Sequence, residues 1–351
     1  MASPPYWLPT TDYHTAGEPF RIVHTTDLPS NPLTPGLTVF QQRLAILEDP
    51  QHPLDLLRRT LCHEPRGHAD MYGCFITPPD DAGAHFGCLF WHKDGFSTAC
   101  GHGTIALGMW AVAEGVVKRA EGENGEGEVD VVIDVPSGRV VARVAFDDAG
   151  EVKHVDFLNV ASQQISAGHQ LNVTLGPKQI PLTVDLSFGG AVYASVDATT
   201  LGLRIEPSNY HTFVDLGRKI KASFPGFLYK EKYDLYGICF FSHISTTPSS
   251  LTQRNVVVFA DGQIDRSPCG SGTCARLAIL LAQGEVGVGR RLVHESIVGT
   301  RFEAFVVEIE DGGDGESLVC IPRVRGKANL VGKMRFFVDK GDPVFPGFVF
   351  R

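Results

Sequence analysis

The sequence predicts an α+β protein of two related, pseudo-symmetric halves, and three observations carry that expectation. The pattern CGHGT at Cys100 returns as CGSGT at Cys269. Each copy opens an apolar stretch with helical spacing, TIALGMWAVAEG or TCARLAILLAQG, that ends on a glycine, Gly115 or Gly284. Short apolar runs bounded by turn residues precede both copies. Self-similarity inside a chain of 351 residues reads as one supersecondary unit used twice. That length also exceeds what one hydrophobic core organises, so two domains of roughly 150 to 170 residues are expected. The expected division is residues 1–160 with Cys100, joined by 335–351, and residues 161–334 with Cys269.

Taken in order, residues 20–110 alternate apolar runs (FRIVHTT, HFGCLFWHK) with turn signals (PSNPLTPG, TPPDDAGAH), which predicts strands ahead of the first Cys helix. The glycines that close the two apolar stretches mark helix C-termini, so each cysteine sits at a helix N-terminus. Residues 120–130, AEGENGEGEVD, are too acidic and glycine-rich to bury and read as an exposed hairpin or loop. VVIDVPSGRVVARVAF continues as strands. From VDLSFGGAVYASVDA the plan repeats: strands, a helix around NYHTFVDLGRKIKASF, strands at LYGICFFSH and NVVVFA, then the second Cys helix. The terminal FVDKGDPVFPGFVFR is expected to return to the first half.

Composition narrows the function. Hydrophobic content of 43% and charged content of 20% describe an ordinary globular chain, and no apolar run approaches the ~18 residues of a membrane span. A net charge of −9 disfavours a nucleic-acid partner. Small molecules are the expected ligands, with a homodimer possible. The N-terminus MASPPYWLPTTDYH lacks a basic segment followed by an apolar one, so a cytoplasmic protein with reduced thiols is expected. The eight cysteines form no CxxC pair, and His68, His85 and His92 with Cys74 and Cys88 match no closed metal site, so no metal is expected. Cys62, Cys74, Cys88, Cys239, Cys274 and Cys320 read as small core residues.

Cys100 and Cys269 read differently. A helix N-terminus carries partial positive charge and unpaired N–H groups that favour a thiolate. Gly101, Gly103, Gly270 and Gly272 let the backbone approach an anion closely, which suits a carboxylate. A thiol on each side of a bound acid would take the α-proton from one face and return one to the other. That is racemisation without a cofactor, with fixed N–H donors stabilising the developing charge. A Cys/His hydrolase gains nothing from a duplicated cysteine unit; a binding protein that merely holds a carboxylate is the other rival.

At these motifs the chain resembles the proline racemase family, which includes hydroxyproline epimerases and trans-3-hydroxy-L-proline dehydratases. The resemblance rests on DYHTAGEPFRIV at 12–23, PRGHADMYG at 65–73, ACGHGTIAL around Cys100, VDLSFGGAVYASVDA at 184–198 and DRSPCGSGT at 265–273. It implies a diaminopimelate-epimerase-like fold, with strands wrapped around a central helix in each half and an active site in the cleft between them. It implies Cys100 and Cys269 as the acid/base pair; Gly101, His102, Gly270 and Ser271 as the carboxylate cradle; Asp265 and His102 on the ring nitrogen; and Tyr72 and Phe259 as aromatic walls. A Tyr at 72, where proline racemases often have Phe, hints at a polar ring substituent. LYGICFF at 235–241 is more similar to dehydratases, and hydroxyproline epimerases tend to have a His near Gly237. Dehydratases typically carry Thr where this chain has Cys269. The pair weighs more than the background, because a second thiol supplies the opposite-face proton that a Thr hydroxyl cannot readily give to carbon. The expected activity is therefore a racemase or epimerase of proline or a hydroxyproline, with the dehydratase as alternative.

Overall fold

A computed structural model describes residues 4–119, 125–312 and 317–350. The chain forms two compact units. One comprises the residues up to Ala99, Gly103–Lys153 and the segment from Lys327 onward; the other comprises Cys100–His102 and His154–Gly326.

The first unit contains strands β1 (Tyr6–Thr15), β2 (Glu18–His24), β3 (Tyr72–Thr77), β4 (Phe86–His92), β5 (Gly95–Phe96), β6 (Gly127–Val135) and β7 (Gly138–Phe146). The last strand of the chain, Ala328–Val338, pairs antiparallel with β1. From β1 the order runs β2, β3, β4, β6, β7, with β2–β3 and β4–β6 parallel. Each parallel step needs a crossover. Helices α1 (Val39–Glu48) and α2 (Pro53–Cys62) supply the first, and α3 (Gly101–Ala113) the second. Because α1 and α2 pack on the sheet through Val39, Ile46, Leu54, Leu57, Leu61, Phe75, Leu89 and Trp91, while Trp110 of α3 meets His24 and Phe86 at 5.1 and 5.5 Å, β3 and β4 are buried along their whole length. Burial on both faces is why these strands read as continuous apolar runs.

Two elements differ from the sequence reading. The region expected to hold only strands and turns before Cys100 contains α1 and α2. Thr38 and Gln41 form a reciprocal capping box at α1, and Pro53 opens α2 with the His52 ring accepting from the Leu54 N–H. Of the segment expected to be an exposed hairpin or loop, residues 120–124 lie outside the described residues, and Gly127–Asp130 already belong to β6, paired with Arg143–Phe146.

DYHTAGEPFRIV has a structural task in this unit. The Arg21 guanidinium forms a buried bidentate pair with Asp12 (2.8 to 3.1 Å) and donates to the carbonyls of Leu61 and Arg66 at 2.7 and 2.9 Å. It thus fastens β1 and β2 to the end of α2.

The second unit contains β8 (Val152–Leu158), β9 (Ser162–Leu175), β10 (Lys178–Phe188), β11 (Val192–Asp197), helix α4 (Tyr210–Ala222), β12 (Leu228–Tyr229), β13 (Tyr233–Thr246), β14 (Ser250–Phe259), β15 (Gln263–Asp265), helix α5 (Gly270–Ala282), β16 (Arg291–Glu295), β17 (Arg301–Glu310) and β18 (Val319–Gly326). β9, β10, β11, β13, β14, β16, β17 and β18 pair in that order, and β18 pairs back to β9, closing a ring. α5 lies inside it, touching β9, β10, β11, β13, β17 and β18, with every residue from Gly270 to Leu281 buried. A helix buried on all sides must be largely apolar, and its one charged side chain, Arg276, is buried with its Nε donating to Gln253 Oε1 at 2.9 Å. Outside, α4 buries Phe213, Leu216 and Ile220 against Phe240, Val256 and Val258. α5 ends as the sequence predicts: Gly284 is left-handed (φ 73°), its N–H bonds to the Leu281 carbonyl, and the Glu285 N–H bonds to that of Leu280. No helix among the described residues is long and apolar enough to cross a membrane.

Candidate active site

Cys269 is the N-cap of α5, and its backbone takes the rare conformation φ 61°, ψ 106°. The preceding DRSP segment enforces it. The Asp265 carboxylate accepts from the Ser267 N–H (2.8 Å) and hydroxyl (2.7 Å), and the Ser267 Oγ accepts from the Cys269 N–H (3.1 Å). Pro268 offers its carbonyl to Asn255 Nδ2 at 2.7 Å and Thr273 Oγ1 at 3.0 Å. Thr273 Oγ1 also lies 2.8 Å from His294 Nδ1. Burial, then the charge of Arg276, pushes the His294 pKa down to about 3. The imidazole is therefore neutral across the working range. Strain of this kind persists only where surroundings over-determine it.

The sulfur of Cys269 is held as a thiol. Burial first, and the Asp265 charge second, raise its pKa well above 9.0; the Gly272 N–H and the Tyr193 hydroxyl pull the other way. A methyl group on Gly272 would stand 3.0 Å from Sγ, so glycine leaves the thiol room.

The Cys100–His102 segment packs against this helix start. A methyl on Gly101 would lie 2.6 Å from the Gly270 Cα, and one on Gly270 2.6 Å from the Gly101 Cα. The two Cys-Gly steps thus meet backbone to backbone. Cys100 Sγ lies 3.5 Å from His102 Nδ1, which faces Asp265 Oδ2 at 3.9 Å. Both thiols, both glycines, the imidazole and the carboxylate are buried in one cluster.

Ser271 Oγ is 2.7 Å from the Tyr193 hydroxyl. Phe259, at the end of β14, stacks on Tyr236 (5.6 Å, 22°), which meets Tyr193 edge-on at 5.8 Å. Tyr72 belongs to the first unit: its ring stacks on Phe20 at 6.4 Å and its hydroxyl is 2.5 Å from Ser97 Oγ. That hydroxyl, read from sequence as facing a polar ring substituent, has a protein partner. Gly237 is crowded as well, since a methyl there would be 3.3 Å from both Phe259 and Tyr193. Among the described residues no three His, Cys, Asp or Glu side chains gather as a metal-binding group.

Sequence reasoning did not single out Tyr193, Asn255, Ser267, Thr273 or His294. Tyr193, Ser267 and Thr273 stand inside the quoted motifs, so their positions were available. Gly189 of FGG has a packing duty too: a methyl there would be 2.4 Å from the Ser271 carbonyl oxygen, and its own carbonyl accepts from Asn159 Nδ2 at 2.7 Å.

The sequence profile of the family described as proline racemase matches residues 10–349. A trans-3-hydroxy-L-proline dehydratase from Colwellia psychrerythraea is 38% identical over 96% of this chain and 91% of its own length. A proline racemase from Clostridioides difficile is 36% identical over 97% of each. Among solved structures, a hydroxyproline epimerase from Agrobacterium vitis with bound trans-4-hydroxy-L-proline superposes with TM-score 0.83 at 26% identity, covering 98% of this chain and 95% of its own.

Proposed function

The chain belongs to the proline racemase family, and we propose that it racemises or epimerises proline or a hydroxyproline at Cα, with Cys100 and Cys269 as the two acid/base groups. The observation that carries this reading is the meeting of the two Cys-Gly helix starts at Gly101 and Gly270. It gathers two thiols and the N–H groups of both steps where one carboxylate can be held. Cys269, neutral at rest by virtue of burial and Asp265, gives a proton to the carbanion. Cys100, 3.5 Å from the His102 imidazole, takes the α-proton from the other face. Gly101, His102, Gly270 and Ser271 bind the carboxylate; His102 and Asp265 hold the ring nitrogen; Phe259 walls the ring. The mechanism requires no cofactor. N–H donors aimed at the enediolate supply the stabilisation, each worth on the order of 3 kcal/mol.

Dehydration of trans-3-hydroxy-L-proline is the second reading, favoured by the relative of that name at 38% identity. It shares the proton abstraction and differs only in the exit of the carbanion. Incubation with proline, trans-4-hydroxy-L-proline and trans-3-hydroxy-L-proline in D2O, followed by NMR, tests both. Epimerisation requires deuterium at Cα, inverted product and no cyclic imine or 2-oxo acid. Cys100→Ser and Cys269→Ser should each abolish it. A single variant that kept more than about a tenth of the rate, only ~1.4 kcal/mol, would sink the two-thiol mechanism.

A further inference from the structure

Beside Cys269 stands a hydroxyl that the acid/base scheme above leaves without a task. Tyr193 is completely buried in β11, with its ring edge-on to Tyr236. Its oxygen lies 2.7 Å from Ser271 Oγ and 3.8 Å from Cys269 Sγ, within hydrogen-bonding range of sulfur. A phenol has one proton to give. It satisfies either the serine oxygen or the sulfur, and both lie within its reach by rotation about a single C–O bond. Burial, with Cys269 and Tyr236 adding to it, holds the Tyr193 pKa well above 10.0, so the group remains a donor throughout.

We infer that Tyr193 is a positioning residue whose hydroxyl swings between Ser271 and Cys269, donating to the sulfur whenever Cys269 has lost its proton. This rests on Cys269 being an acid/base group, as proposed above. When the carbanion takes the proton, the S–H bond breaks and the C–H bond forms. A thiolate is left in a buried site that also holds the Asp265 carboxylate. Without a nearby donor that charge would be severely penalised. The Gly272 N–H is one donor; Tyr193, turned from Ser271, is the second. As the thiol is restored, the phenol returns to Ser271, and no proton leaves the pair. Among the described residues, Asp265 from β15, Tyr193 from β11 and Cys239 from β13 act on the sulfur, with His102 beyond Asp265 at 3.9 Å.

The test is the pH dependence of Cys269 alkylation by iodoacetamide in the full-length protein, read by peptide mass with Cys100 followed in the same samples. Tyr193→Phe keeps the ring and removes the donor. It should move the Cys269 titration upward by about one unit, a roughly tenfold loss of thiolate at a given pH, and leave the Cys100 curve in place. Ser271→Ala frees the phenol for the sulfur and should move the Cys269 titration downward. A Cys269 curve that stays in place or falls in Tyr193→Phe overturns the inference. So does an upward shift in Ser271→Ala, which would make the serine the thiolate donor and which remains decisive if Tyr193→Phe does not fold. The outcome is separable from the proposed function: a Cys269→Ser protein that still turns over refutes the two-thiol reaction whatever the alkylation curves show.

Discussion

Gly270→Ala is the substitution that most directly tests whether the Cys100 segment and the start of α5 work as one site. The new methyl would lie 2.6 Å from the Gly101 Cα, 2.8 Å from its carbonyl carbon and 3.1 Å from the His102 nitrogen, against 3.4 Å for ordinary contact. All three neighbours are backbone, so no side chain can rotate away, and the two Cys-Gly steps must part by about 0.8 Å, the gap between 2.6 and 3.4 Å. A displacement of ~1 Å at reacting groups costs about a hundredfold in rate. Overpacking of this kind costs ~1 to 3 kcal/mol of stability, less than the roughly 5 to 15 kcal/mol of a typical folded protein. The assay is Cα deuterium exchange with the best of the three imino acids, alongside urea unfolding. The expected result is a rate loss on the order of a hundredfold with a folded protein. Retention of half the wild-type rate by a folded Gly270→Ala protein would show that the contact between the two steps does not set the distance between the catalytic groups.

Cys269→Thr should turn the protein toward dehydration: Cys100 still removes the α-proton, but the opposite face no longer has a thiol to return one, so trans-3-hydroxy-L-proline should yield cyclic imine while epimerisation disappears. Persistent epimerisation in that variant, followed by polarimetry, would deny Cys269 its role as donor. A second expectation concerns alkaline pH. Burial pushes the Cys239 thiol from 9.0 up to about 11, so the folded state keeps a proton that the unfolded chain releases. The stability tied to this group is whole below pH 9 and declines as pH rises from 9 to 11, by about 1 kcal/mol at pH 10. Urea midpoints at pH 8 and 10 should therefore converge in Cys239→Ala relative to wild type; an unchanged gap between the two midpoints would contradict the sign.

Legibility in the sequence followed the distance between partners. DRSPCGSGT exposed Asp265, Cys269, Gly270 and Ser271 at once because they are neighbours on a tight turn into a helix. The duplicated pattern added Cys100, Gly101 and His102. What it could not convey is that Gly101 and Gly270 face each other, so that both are required for packing and not only for approach to a ligand. Asn255 and His294 hold the Pro268 peptide and its Thr273 partner from β14 and β16, and nothing local marks an Asn or His for that duty. Tyr72 shows the opposite limit: its hydroxyl was visible in the sequence, but its partner Ser97 stands 25 positions away. Helices α1 and α2 were missed although the Thr38 to Gln41 box and Pro53 announce them, because the proline-rich flanks read as loop.

The cluster is chemically lopsided, and that bears on why racemase and dehydratase names both occur among its relatives. Cys269 is driven toward the thiol by burial and by Asp265, whereas Cys100 has an imidazole 3.5 Å from its sulfur. On the proposed mechanism the two thiols exchange states on each inversion, so the free protein must restore the starting arrangement before accepting the same enantiomer again. Donors at the Cys269 sulfur, the Gly272 N–H and the Tyr193 hydroxyl, narrow the difference between its two states and keep that return from becoming a trap. A carbanion with a hydroxyl on the neighbouring carbon has another exit, since expelling it consumes no proton from the far face. On the proposed mechanism the first half of both reactions is shared, with Cys100 as the base. On that mechanism the ease with which Cys269 parts with its proton would decide between inversion and loss of water, and the choice would lie in the hydrogen bonds to one sulfur atom rather than in a separate site.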